Sequence, residues 1–167
     1  MQRRRFVGFA LGAGAGSLFI SRVAQAQQGT APRNAPPAAK TPLPAMTVYK
    51  SASCGCCHNW VEHARSSGFT VKTIDTEDLA AVKRDLGVPS RLQSCHTVVV
   101  GNYLVEGHVP AADVKRLLAE KPAVRGIAVP GMPVGAPGME QGAPVDYQRY
   151  EVMAFTAAGV TSVFARH

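Results

Sequence analysis

Met46-Thr-Val-Tyr-Lys-Ser-Ala-Ser-Cys54-Gly-Cys56-Cys57-His58-Asn-Trp60-Val61 decides the fold. Its opening β-type run breaks at Ser51-Ala-Ser53, and Cys57, Trp60, Val61 and Ala64 then recur at helical spacing as far as Ser66-Ser-Gly68. The segment therefore reads as strand, cysteine turn, helix. Downstream, Phe69 to Ile74 alternates as a strand. Thr76-Glu77-Asp78 offers a capped, acid-rich start to a helix with Leu79, Val82 and Leu86 on one face, ended by Gly87. Thr97-Val-Val-Val100 is a buried strand, Gly101-Asn102 a tight turn and Tyr103-Leu-Val105 the returning strand. Pro110 suits the first turn of a helix carrying Val114, Leu117 and Leu118, which stops at Lys121-Pro122. The order β-α-β-α-β-β-α predicts an α/β domain with a central sheet flanked by helices. Tyr150 to Phe155 and Val160 to Ala165, joined around Ala157-Ala-Gly159, add a β-hairpin that extends the sheet or covers a face.

This order resembles thioredoxin, and most specifically at Cys54-Gly-Cys-Cys57. There a Cys-x-x-Cys pair sits where a helix N-terminus lowers the thiol pKa and favours the thiolate, the form that attacks disulfides and binds metals. Two features depart from that pattern. Cys56 fills one x position, and the segment before the third strand, where thioredoxins carry a cis-proline facing their cysteines, reads Ser94-Cys95-His96-Thr97. The resemblance thus implies that Cys95 approaches the other three thiols across the top of the sheet.

Four converging thiolates would bring about four negative charges into a partly buried site, tolerable only with protonation or a bound cation. Zinc favours spaced ligand pairs, whereas adjacent Cys56 and Cys57 in a helical turn diverge by about 100°. Copper(I) prefers few, soft sulfur ligands, and bridging thiolates can hold several copper ions. The cofactor expected is copper, in a small thiolate cluster.

Cys-Gly-Cys-Cys57, Ser94-Cys-His-Thr97, Glu106-Gly-His-Val-Pro110, Gly126-Ile-Ala-Val-Pro-Gly-Met-Pro133 and Gly135-Ala-Pro-Gly-Met-Glu140 together resemble the CopG-type copper-resistance proteins of the bacterial periplasm, often described only as a domain of unknown function. The match runs from about Met46 to the C-terminus. It implies a thioredoxin-like domain that binds copper through Cys54, Cys56, Cys57 and Cys95, contributes to copper resistance and interconverts Cu(I) and Cu(II). The partners it implies are copper ions and other envelope copper-handling proteins.

Further residues are candidate ligands, each with a plainer role. His96 follows Cys95 directly, so in an extended segment its ring points the other way and serves either the metal or a structural hydrogen bond. Met132 and Met139 lie in a Gly- and Pro-rich loop that could wrap the cysteine turn with soft thioethers, or simply plug the loop onto the domain. His58 reads as a surface residue, and His108 as a turn residue engaged in capping or turn contacts. Trp60 reads as a core anchor that also shields the centre from water.

The N-terminus gives the address. Arg3-Arg4-Arg5 precede the apolar run Phe6 to Ile20 and the small-residue signature Ala24-Gln25-Ala26, an export signal of residues 1–26. Arg3-Arg4-Arg5-Phe6 also fits the twin-arginine form, so either the general secretory or the twin-arginine route is open. Cleavage would remove four arginines and no acid, reducing the formal net charge from +7 to +3 and leaving a periplasmic chain without a membrane span. The basic balance therefore belongs largely to the signal, and no aromatic-interleaved basic cluster suggests nucleic acid. Residues 27–45, with five prolines, read as a linker, and 46–167 as the thioredoxin-like copper-binding domain with a C-terminal extension from about residue 122.

Three classes of function meet these residues: copper binding or copper redox chemistry, thiol-disulfide exchange through Cys54 and Cys57, and a domain held by two structural disulfides. Exchange gives Cys56 and Cys95 no place, and adjacent Cys56 and Cys57 are awkward for paired disulfides. No phosphate loop or Ser-His-Asp arrangement supports a nucleotide enzyme or hydrolase.

Overall fold

The computed structural model describes residues 42–167. The export signal and all but the last four residues of the linker lie outside the described residues.

Strand β1 (Met46–Lys50) leads through the cysteine turn into α1 (Gly55–Ser66), β2 (Val71–Asp75) and α2 (Leu79–Leu86). Next come β3 (Thr97–Val100), β4 (Tyr103–Glu106), α3 (Ala111–Glu120), β5 (Gly126–Ala128), β6 (Glu151–Phe155) and β7 (Thr161–Arg166). The seven strands form one sheet in the order β2-β1-β3-β4-β5-β6-β7. β1 pairs with β2 in parallel and with β3 antiparallel, so the segments entering α1 and β3 lie at one end of adjacent strands. Tyr49 faces Thr97 in that register, which brings the Cys54 turn close to the Ser94–His96 strap.

Period-two alternation divides the strands between two apolar clusters. Val48, Val98, Val100, Val105 and Ile127 pack with Trp60, Val61 and Ala64 of α1 and with Val114 and Leu117 of α3. Leu104, Ala128 and Phe155 pack instead with Val88 and Leu92, just beyond α2. The expected α/β order is present. Asp78 caps α2 by accepting the Ala81 N–H at 2.8 Å, and Gly87 closes it with φ of 76°.

Two features differ from the sequence-based reading. Leu79, Val82 and Leu86 are only partly buried; the buried residue of α2 is Lys83. The strand β5 is also new: its three residues are buried throughout and are too short to show a period. It pairs in parallel with β4 and antiparallel with β6, so the C-terminal hairpin extends the sheet rather than covering a face.

Candidate metal centre

Cys54 is the N-cap of α1 and has extended backbone angles; its side chain does not cap the helix. The first turn carries no acidic residue, and its backbone N–H groups lack intrahelical acceptors. The helical turn sends Cys57 inward, fully buried, and leaves Cys54 and Cys56 half-buried. Across the sheet end, the strap before β3 presents Cys95.

The four sulfurs lie within 4.8 Å of one another, a grouping that could hold a metal ion. Cys56 Sγ is 3.5 Å from Cys54 Sγ and 3.7 Å from Cys95 Sγ. The expected divergence of Cys56 and Cys57 does not keep their sulfurs apart, because Cys57 points into the strap, 3.6 Å from the Cys95 carbonyl oxygen, while Cys95 reaches Cys56. Cys54 and Cys57 are joined as a disulfide, and Cys56 and Cys95 are free. Burial, and then the charge of Cys56, pushes the Cys95 thiol up to about 12.

A second grouping, Cys95, His96 and His108, overlaps the first at Cys95. His108 is fully buried, and its Nε2 lies 2.8 Å from Cys95 Sγ. Its Nδ1 lies 2.8 Å from the carbonyl oxygen of Pro137; a carbonyl only accepts, so the proton sits on Nδ1 and the Nε2 lone pair faces the sulfur. His108 therefore does more than make the capping or turn contacts expected of it: one nitrogen is held by a loop carbonyl and the other faces a sulfur. The sequence clue available was the spacing of Glu106-Gly-His108 opposite Ser94-Cys-His96 in a hairpin.

His96 is also fully buried and does not turn away from Cys95. Its Nδ1 is 3.7 Å from Cys95 Sγ, since β3 begins only at Thr97 and strand alternation has not yet set in. Its ring lies between Trp60, at 4.7 Å, and His108, at 5.0 Å between centroids. Among the described residues His96 Nε2 has no hydrogen-bond partner, an unusual state for a buried imidazole nitrogen. Burial, followed by the charges of His108 and Lys83, holds the His96 pKa well below its ordinary value, and burial also lowers that of His108. Both rings are neutral donors at neutral pH.

His58 is exposed, as expected. Its Nε2 is 3.0 Å from Lys50 Nζ and its Nδ1 2.9 Å from the Cys54 carbonyl oxygen, so it braces the turn from outside. Trp60 is buried and donates its indole N–H to the Val109 carbonyl at 2.9 Å. The Gly- and Pro-rich loop does cover the cysteine turn: Ala136 to Met139 are buried, and Gly138 has φ of +83°. A Cβ on Gly138 would lie 2.7 Å from both the Cys56 carbonyl oxygen and the Trp60 backbone nitrogen. Met139 is buried within this cover, whereas Met132 is 54% exposed.

Comparison with known proteins places this geometry. Two solved structures of copper resistance protein CopG, form 1 and form 2, are 46% identical to the chain, with TM-scores of 0.70 and 0.71. The matches cover 75% and 76% of this chain and 98% and 99% of the CopG chains. The chain belongs to the CopG family. A family model described as a protein of unknown function, DUF411, matches residues 92–139, which hold Cys95, His96, His108 and the covering loop but not the Cys54 turn. No curated protein matches the chain. Within this CopG-family chain, no helix among the described residues is long and apolar enough to cross a membrane.

Proposed function

We propose that this CopG-family protein binds copper and contributes to copper resistance, through Cys54, Cys56, Cys57 and Cys95. The convergence of four sulfurs within 4.8 Å at a helix N-terminus carries the reading. The donor chemistry fits the metal: sulfur is soft, and the adjoining His96 and His108 are neutral imidazoles, one with an orphaned nitrogen and the other with its lone pair on the site. Copper bound here would supply one-electron chemistry. His108 and His96 are the imidazoles best placed to complete the site, and buried Met139 is a better candidate thioether than exposed Met132.

The finer reading is a thiolate-bridged multinuclear site that cycles between Cu(I) and Cu(II), each copper exchanging one electron with an external donor or acceptor. The cellular setting is the periplasm, reached through the export signal of residues 1–26, with residues 27–45 as a linker and 46–167 as the working domain. Elemental analysis of reduced protein loaded with copper tests the cluster: a copper-to-protein ratio above one is expected, and a ratio of one or less, or zinc retained instead, would overturn it.

The Cys54–Cys57 bond favours a second reading, thiol-disulfide exchange, in which the reduced pair is the reductant: Cys54 attacks a substrate disulfide and releases one substrate thiol, and Cys57 then displaces the other and closes the Cys54–Cys57 bond. That reading requires Cys56→Ser and Cys95→Ser to retain exchange activity while Cys54→Ser loses it. Copper binding lost in all four single variants, with no exchange activity in the parent, would reject it.

A further inference from the structure

Lys83, the buried residue of α2, places its Nζ 2.5 Å from Glu106 Oε1 and 2.9 Å from Thr97 Oγ1. Glu106 is 0% exposed, and its carboxylate accepts three bonds. Oε1 takes Lys83 and the Ser94 backbone N–H at 2.7 Å; Oε2 takes the Thr97 hydroxyl at 2.6 Å. One carboxylate thus ties both ends of the four-residue strap whose middle residues are Cys95 and His96.

The two residues after Glu106 hold that middle. Gly107 donates its N–H to the His96 carbonyl at 2.9 Å, and His108 Nε2 meets Cys95 Sγ. Gly107 has φ of +72°, and a Cβ there would lie 2.5 Å from Ser94 Cβ, so the two segments are pressed together. Residues 106–108 therefore touch every residue from 94 to 97.

A buried ion pair is commonly no more stabilising than two apolar side chains of similar volume, and Val99 and Leu104, the next pair on the same face of the sheet, show that this face accepts apolar residues. Apolar groups cannot, however, offer acceptors in two directions to Ser94 and Thr97. We propose that Glu106, with its charge balanced by Lys83, is the positioning residue of the metal centre: it fixes the Ser94–Thr97 strap so that Cys95 meets Cys56 and His108. This role rests on the reading of the cysteines as a metal site, but its geometry can be measured without metal.

In a Cys54→Ser, Cys57→Ser background the remaining thiols, 3.7 Å apart, should cross-link readily with diamide. Adding Glu106→Met with Lys83→Met removes both charges together, leaving neither unpaired. The expected result is a folded metal-free protein, its Tm lowered by the unpaired Ser94 N–H and Thr97 hydroxyl, whose Cys56–Cys95 cross-linking is slowed at least tenfold. With the native cysteines restored, the same pair of substitutions should weaken copper retention at least tenfold against a Cu(I) chelator. A parental cross-linking rate in the folded variant would overturn the proposal. Slowed cross-linking in a protein whose parent binds no copper would uphold the positioning role and reject the copper reading. Thr97→Val supplies the same test if the double substitution prevents folding. It removes one tether at nearly constant shape and should slow cross-linking severalfold, and an unchanged rate would equally overturn the role.

Discussion

His108 Nε2 and Cys95 Sγ are 2.8 Å apart although thirteen residues separate them in sequence. The contact joins the strap before β3 to the turn after β4, and the Pro137 carbonyl fixes the ring from its other side. Loss of an outer hydrogen-bond partner of a metal ligand typically costs about 10–100-fold in affinity. His108→Ala, which removes the imidazole itself, should cost copper affinity no less. Competition against a Cu(I) chelator measures this, with circular dichroism to verify the fold; parental affinity would exclude His108 from the site.

The loop over the cysteine turn depends on Gly138. Alanine there would need a left-handed backbone and would place its Cβ against Cys56 and Trp60 backbone atoms that cannot swing away. Gly138→Ala should therefore destabilise by about 1–3 kcal/mol, or relieve the clash by lifting the loop. Urea unfolding detects the first outcome, and faster copper loss to a chelator the second. Neither change appearing would show that the loop is not seated on the turn.

Acid should weaken the metal-free fold. Burial keeps His96 well below its ordinary 6.5, and His108 is lowered too, so below about pH 6.5 these two rings take up protons more readily in the unfolded chain than in the folded one. Stability from these neutral rings is complete above that pH and is lost as pH falls through their folded-state values. The urea midpoint should drop from pH 6.5 to pH 5, and His96→Met should make that drop shallower. An unaltered slope in the variant would show that His96 does not carry the linkage.

Trp60 is the chain's single tryptophan, and its ring lies 4.7 Å from that of His96. Its fluorescence should change as copper is loaded and saturate at the copper ratio found by elemental analysis. In His96→Met the emission should remain sensitive to copper, because Trp60 lies on the same helix as Cys57, three residues further on. Emission indifferent to copper in the parent would place the metal elsewhere.

Most of the α/β order was legible because each long element carries its own period: Cys57, Trp60, Val61 and Ala64 along α1, and the apolar run of β3. Lys83 was hidden for the opposite reason. A lysine in an amphipathic helix reads as solvent-facing, and only the carboxylate of Glu106, 23 residues away, makes its burial tolerable. Likewise, β5 has three residues and no detectable period; its pairing with β4 and β6 defines it as a strand.

The site divides in the same way. Local sequence determined that three thiols crowd the start of a helix and that a fourth stands beside a histidine, because residue type and spacing are properties of the chain itself. Tertiary structure decided which groups meet. Cys95 reaches Cys56, His96 turns inward beside Trp60, and His108 faces a sulfur with the nitrogen that its loop contact leaves over. Each of those contacts is set by strand register and by burial, and these arise only when β1, β3 and β4 pair and the loop through Gly138 closes over them.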